Sequence, residues 1–213
     1  MNNSVNDLLV RSAELEAALK EFLLLKPFDN SERIVSSRIM CGVAFEHAES
    51  VKILLASGNF TSALGLLRLQ YEVMVRATWL LYAAKESSIS KLTAELNHEN
   101  AKKADKVPML GEMLSEMEGK APSEALNMLL EFKEYSWKPL SSYVHGGIHA
   151  LSRHSKGYPV PLLMQALKAS NGVSVMSGML LVILSGDRNQ SGKITKIQTE
   201  FSNCLPELKP NDS

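Results

Sequence analysis

The most constraining feature of this chain is the stretch FTSALGLLRLQYEVMVRATWLLYAA, residues 60–84, with only three charged side chains in 25 positions. Arg68, Glu72 and Arg76 follow one another at steps of four, and Trp79 continues the same stripe. Apolar side chains fill almost every other direction around a helix of this sequence. The stretch therefore predicts a helix buried on most sides, whose one charged stripe faces water, a partner or a cleft.

The rest of the chain also favours helices. No sustained alternation of apolar and polar residues occurs, and no Asn-Gly or Asp-Gly turn joins β-branched runs. Pro139 is expected to interrupt the chain, and residues 88–105 predict an exposed helix or a loosely ordered arm. The other expected helices cover about 4–25, 29–58, 108–119, 122–135, 140–154, 162–186 and 193–204.

These elements predict an all-α fold, an antiparallel helical bundle. We expect a single domain over residues 1–213, with a polar tail from about residue 206. The second, third and eighth helices in chain order are the longest and most apolar, so we expect them at the centre of the bundle.

Composition limits the classes of function. Lysine and arginine number 23, as do aspartate and glutamate, so a phosphate-binding surface must come from local clustering of charge. Two cysteines, Cys41 and Cys204, are too few for a disulfide framework, and the first residues, MNNSVND, lack the pattern of a signal peptide. These observations predict a cytoplasmic protein.

Residues 169–186 contain no charge and barely reach the length of a membrane span. Asn171, four serines and three glycines make this stretch less apolar than a typical span. A closely packed core helix is favoured over a transmembrane helix, so we expect no membrane contact.

Three of the five histidines lie in SSYVHGGIHALSRH, residues 141–154. His145 and His149 are four apart, a spacing that places two side chains on one helical face. Zinc needs a third or fourth ligand, and no carboxylate lies between Glu134 and Asp187. The segment therefore predicts neither a metal nor a cofactor, although a histidine-based metalloprotein with His154 as third ligand stays open as an alternative.

Acid–base chemistry on RNA is favoured by the charges around these histidines. Residues 131–168 carry two acidic side chains and five basic ones, namely Lys133, Lys138, Arg153, Lys156 and Lys168. A histidine beside cations can bind a phosphodiester and move the proton of its 2′-hydroxyl. Outside this segment, His47 interrupts a run of small and apolar residues and is a further candidate for the site.

Two segments together, ALGLLRLQYEVMVRATWLLYAA and SSYVHGGIHALSR, resemble an uncharacterised bacterial family of helical proteins related to the HEPN superfamily. The resemblance covers mainly residues 40–155. It implies a HEPN-like helical bundle, a homodimer formed through the histidine segment, and metal-independent endoribonuclease activity in toxin–antitoxin or phage-defence systems. It also implies RNA or a nucleotide as ligand, and an antitoxin-like protein as a possible partner.

The site of HEPN proteins is a short sequence motif: an arginine, then a short spacer that begins with a polar residue, then a histidine. His145 matches that histidine. The arginine does not carry over, because Lys138 stands six residues before His145 and Pro139 follows it. Either Arg68 or Arg76 replaces the arginine in space, or the chain is a non-catalytic interaction module.

If the chain is an enzyme, the resemblance and the charged stripe together assign roles to its residues. His145 transfers the proton, and Arg68 or Arg76, with Lys138 as a weaker candidate, stabilises the developing charge. Glu72 orients the two guanidiniums. The side chains expected to orient or bind the substrate around them are Tyr143, His149, His47 and Arg153.

Overall fold

The computed structural model describes residues 3–207, and over this part of the chain the backbone is helical and contains no strand. The all-α prediction is confirmed, whereas most of the polar tail expected from about residue 206 lies outside the described residues. The α-helices are α1 (Asn3–Lys20), α2 (Glu32–Ala56), α3 (Phe60–Tyr82), α4 (Glu86–Thr93), α5 (His98–Ala104), α6 (Leu110–Glu116), α7 (Ser123–Phe132), α8 (Lys138–Val144), α9 (Ile148–Lys156), α10 (Val160–Ser185) and α11 (Ser191–Glu200).

Helices α2 and α3 form an antiparallel hairpin at the centre of the molecule. The Ser37 hydroxyl on α2 donates to the Ala77 carbonyl on α3 at 2.8 Å. Arg33 donates to the carbonyls of Leu80 and Ala84, each at 2.7 Å, and so supplies the partners that the last carbonyls of a helix lack. These bonds fix the register of α2 against α3.

Helix α10 fills the other side of this hairpin and runs parallel to both α1 and α3. The buried amide of Gln70 on α3 bonds to Ser170 and Ser174 of α10, and Asn171 donates to Ser12 of α1 at 2.7 Å. The antiparallel prediction is therefore wrong for α10. The long connection through α4–α9 allows this, because it returns the chain to the end at which α3 begins.

Burial inside the bundle accounts for the apolar character of α10. By length and composition α10 could cross a membrane, and 72% of its most apolar stretch is buried in the protein. Its buried face packs on α1, α2 and α3. The absence of membrane contact stays a prediction.

A network of charges joins α1 to α2. The ammonium of Lys52 bonds to the Glu16 carboxylate and to the Ala48 carbonyl, and both side chains of this ion pair are about nine-tenths buried. Lys20 bridges Glu16 at 2.9 Å and Glu49 at 2.7 Å on the outer side. Burial lowers the pKa of Lys52, which opposes the effect of the nearby carboxylate.

The chain does not break at Pro139, contrary to prediction. Helix α7 continues through a π-helical turn, Lys133–Trp137, directly into α8. Proline has no N–H to donate into a helix, and the wider π turn just before it accommodates the lost bond. As a result α8 runs antiparallel along α3 and places its side chains against the charged stripe.

Candidate functional site

The contact between α3 and α8 centres on an arginine and a histidine. A nitrogen of the Arg68 guanidinium, Nη1, lies 3.1 Å from Nε2 of His145. Arginine can only donate, so Nε2 of the imidazole accepts this bond and the ring proton resides on Nδ1. The structure thus joins a fixed cation to a histidine that keeps a basic nitrogen facing it.

Glu72 and Trp137 hold the guanidinium in place. One oxygen of Glu72, Oε1, accepts from Arg68 Nη2 at 2.8 Å and from the Trp137 indole nitrogen at 3.2 Å. The guanidinium carbon lies 5.0 Å from the centre of the Trp137 ring, within the range of a cation–π contact. The Nε of Arg68 is buried without a hydrogen-bond partner, so one N–H of this arginine is unsatisfied.

A tight turn presents His145 at the end of α8. Gly146 adopts a left-handed conformation with φ of +65°, and the Gly147 N–H donates to the Ser142 carbonyl at 2.7 Å. The Ser142 hydroxyl also accepts the N–H of His149 at 3.0 Å and so caps the start of α9. His145 and His149 therefore belong to different helices, and the prediction that they share one helical face is wrong.

Gly147 is expected to tolerate a side chain poorly. A Cβ at this position would lie 2.6 Å from the Ser142 hydroxyl oxygen and displace the hydroxyl that caps α9. Gly147→Ala should therefore lower the free energy of unfolding by about 1–2 kcal/mol, the usual cost of a lost helix cap. Urea unfolding checks this, with Gly192→Ala as control, because a Cβ there meets no atom within 4 Å. An equal, small change in both variants would contradict it.

Tyr143, His149 and Arg153 form a second group on the α9 side of this turn. The Tyr143 ring is buried, with its centre 6.1 Å from that of His149 and 6.4 Å from that of Tyr158. Burial raises the pKa of the Tyr143 phenol, and the positive charge of Arg153 partly offsets the rise. Tyr143 therefore supports the turn from beneath, while His149 is exposed.

Arg76 is half-buried one turn beyond Glu72 on α3. Glu72 forms its salt bridge with Arg68 and none with Arg76, so the expected ladder of three charges is only half formed within the described residues. The Nε of Arg76 is buried and has no hydrogen-bond partner.

The two remaining candidates lie at the edge of the cluster or outside it. Lys138 is exposed at the start of α8. His47 is half-buried on α2, where burial lowers the pKa of its imidazole. Within the described residues no hydrogen bond joins His47 to Arg68, Glu72 or His145. The structure thus joins three of the expected site residues, Arg68, Glu72 and His145, and over residues 3–207 links His47 to none of them by a hydrogen bond.

Sequence reasoning missed Trp137 and Ser142. Trp137, Ser141 and His145 are spaced four apart, and the Ser141 hydroxyl donates to the Trp137 carbonyl at 2.8 Å, as residues on one helical face do. This spacing could have been read across Pro139. Nothing in the local sequence marks Ser142, because its role depends on the turn that follows it.

No group of three or more histidine, cysteine, aspartate or glutamate side chains converges on a common point in the part of the chain that the structure describes. His145 lies at the end of α8 and His149 in α9, on either side of the left-handed turn at Gly146. The histidine segment therefore offers no ready set of metal ligands.

A family of unknown function, DUF6988, matches residues 41–207 of the chain. The match covers most of the sequence, from the middle of α2 through α11, and includes Arg68, Glu72, Trp137 and His145. The chain belongs to this family. No curated protein and no solved structure gives a significant match. The family match carries no link to the HEPN superfamily, and that relation stays a proposal.

Proposed function

We propose that the chain cleaves single-stranded RNA, without a metal, at the site formed by Arg68, Glu72, Trp137 and His145. The observation that supports this most is the 3.1 Å contact between Arg68 Nη1 and His145 Nε2 on a solvent-facing turn. A proton acceptor and a fixed cation this close together can act on the two ends of one reaction, the 2′-hydroxyl and the phosphate that it attacks.

The step is a transesterification within the RNA. A phosphate oxygen replaces His145 as acceptor from Arg68, which frees Nε2 of the imidazole. Nε2 takes the proton of the 2′-hydroxyl, the 2′-oxygen bonds to phosphorus, and the bond to the 5′-oxygen breaks as that oxygen takes a proton from water. The products are a 2′,3′-cyclic phosphate and a 5′-hydroxyl, and His145 then returns its proton to solvent.

The charges of the cluster suit this step. Negative charge grows on the non-bridging oxygens as the 2′-oxygen attacks, and a guanidinium held in one orientation stabilises that charge without having to reorganise. Glu72 fixes this orientation through its 2.8 Å bond to Arg68.

The resemblance to HEPN proteins supports the same assignment. In that superfamily an arginine of the same helical segment accompanies the histidine, and here Arg68 of α3 would supply the guanidinium across the α3–α8 contact. Lys138, which occupies the corresponding place in sequence, is exposed and takes no part in the contact.

Cleavage of end-labelled single-stranded RNA in the presence of EDTA tests the function. We expect fragments that end in 2′,3′-cyclic phosphate, and no cleavage of DNA of the same sequence, which has no 2′-hydroxyl. Purified protein that leaves all RNA intact would overturn the enzymatic proposal and favour the non-catalytic interaction module.

We also propose that the protein forms a homodimer through α9, beside His145. Ala150 is the only buried residue of this nine-residue helix, while Ile148 and Leu151 are 77% and 72% exposed. Ile148, Leu151, Ser152 and Ser155 share one face, the spacing by which helices pack on one another. In an antiparallel pair of α9 helices, Ile148 would face Ser155 of the second copy, so that large side chains meet small ones.

Light scattering after gel filtration should give twice the mass of one chain, and the variant Ile148→Asp with Leu151→Asp should give a monomer, because charge cannot be buried at the apolar contact. Leu96→Asp is the matched control, since Leu96 is 91% exposed outside this face. A monomeric wild-type protein would refute the homodimer.

A further inference from the structure

We infer that Arg76 is a second phosphate-binding site, which holds another phosphate of the same RNA strand. This rests on the proposed function, and it separates the roles of the two arginines. Arg68 acts at the reacting phosphate, whereas Arg76 binds a phosphate that does not react.

Both arginines have the same unsatisfied group. The Nε atoms of Arg68 and Arg76 are buried and lack a hydrogen-bond partner in the part of the chain described. Buried N–H groups are nearly always paired in folded proteins. Arg76 is half-buried and forms no salt bridge and no side-chain hydrogen bond within the described residues, so its charge is left for a ligand. Phosphate oxygens suit both positions, because a guanidinium binds them through two N–H groups at once.

The positions of the arginines favour two phosphates over one. They are eight residues apart on α3, which corresponds to about 12 Å along the helix axis. The Arg68 guanidinium is also held by Glu72 and Trp137, so a strand that contacts both arginines is expected to place a different phosphate at each. Arg76 therefore binds a phosphate other than the scissile one.

The residue between them keeps the two sites distinct. Glu72 lies one turn from each arginine, yet its carboxylate bonds to Arg68 and to the Trp137 indole. Arg68 is thereby fixed for catalysis. The positive charge of Arg76 is not paired with this carboxylate and can bind a ligand.

A strand that contacts both His145 and Arg76 must carry more than one phosphate, because Arg68 already binds the scissile one. The enzyme should therefore discriminate by substrate length.

Binding of 2′-O-methyl RNA tests the inference without cleavage, because this RNA has no 2′-hydroxyl proton to lose. Fluorescence anisotropy would compare wild type with Arg76→Gln, on a dinucleotide and on a hexanucleotide, at several salt concentrations. Lys196→Gln on α11 is the control that removes one exposed cation from another face.

For the hexanucleotide, Arg76→Gln should weaken binding about tenfold and reduce the slope of log K against log salt by about 0.7, the value for one lost contact to a single strand. For the dinucleotide it should have no effect. Lys196→Gln should match wild type on both, and Arg76→Lys should restore the salt slope. With cleavable RNA, KM should rise and kcat should not change.

The outcomes separate this inference from the proposed function. If wild type binds and cleaves RNA but Arg76→Gln keeps the wild-type affinity and salt slope on the hexanucleotide, the second phosphate site is wrong and the catalytic site stands. If wild type binds neither oligonucleotide, both are wrong.

Discussion

Replacing His145 with alanine is expected to lower the rate of RNA cleavage by about 10²–10⁴-fold, the usual effect of losing an acid–base group. The imidazole is exposed at the end of α8, and its hydrogen bond is to Arg68. The Schellman-type turn that follows is made by Gly146, Gly147 and the Ser142 carbonyl, and it does not use the His145 side chain. The melting temperature should therefore hardly change.

The measurement is single-turnover cleavage of labelled RNA in EDTA, together with a thermal melt of each protein. His154→Ala is the matched control, because His154 is also exposed but lies at the far end of α9, away from Arg68. Equal rates for wild type and His145→Ala would identify a contaminating nuclease or a different catalytic residue.

Replacing Lys52 with alanine is expected to cost about 3 kcal/mol of stability, at the lower end of the range for breaking a buried ion pair. The substitution leaves the Glu16 carboxylate in a site where that residue is only 5% exposed. Lys20 remains 2.9 Å from Glu16 and keeps the cost from rising further. At about 2–4 °C per kcal/mol for a chain of this size, the melting temperature should fall by about 6–12 °C.

Thermal and urea unfolding check this, and two comparisons isolate the cause. Lys103→Ala breaks the exposed pair with Glu99 on α5, whose side chains are 55% and 80% exposed, and should cost less than about 1 kcal/mol. The double variant Lys52→Met with Glu16→Leu should recover most of the loss, because no buried charge is left without a partner. A loss from Lys52→Ala as small as that from Lys103→Ala would show that the pair does not hold α1 on α2.

The long helices could be predicted from the sequence because their patterns extend over more than twenty residues. In α3 and α10 nearly every direction around the helix is apolar, which leaves burial as the only stable arrangement. The direction of α10 could not be predicted in the same way. It depends on contacts between residues about a hundred positions apart, such as Gln70 with Ser170.

Local breaks in the backbone were the main source of error. Pro139 predicts an interruption, yet the π-helical turn before it lets the helix continue. No residue type in that turn indicates a π-helix from sequence. Gly146 permits a helix and a left-handed turn alike, and only the bonds to Ser142 decide between them. Both errors concern one or two backbone angles, which propensity alone does not determine.

The candidate site was partly predictable for a related reason. Charges in an apolar helix are costly unless they meet a partner, so the stripe of Arg68 and Glu72 had to face another polar element. The histidine segment was the polar element that the sequence offered. Trp137 was missed because the expected break at Pro139 detached it from the face that carries His145.

The pairing of Arg68 with His145 is tested most directly by a double-mutant cycle on RNA cleavage. Single-turnover rates in EDTA would be measured for wild type, Arg68→Ala, His145→Ala and the double variant. If the two side chains act as one unit, each single variant loses most of the activity and the double variant is hardly slower than the slower single one. A shared catalytic site would be contradicted if the two losses in activation free energy added fully in the double variant. Cleavage by the double variant at the wild-type rate would contradict it as well.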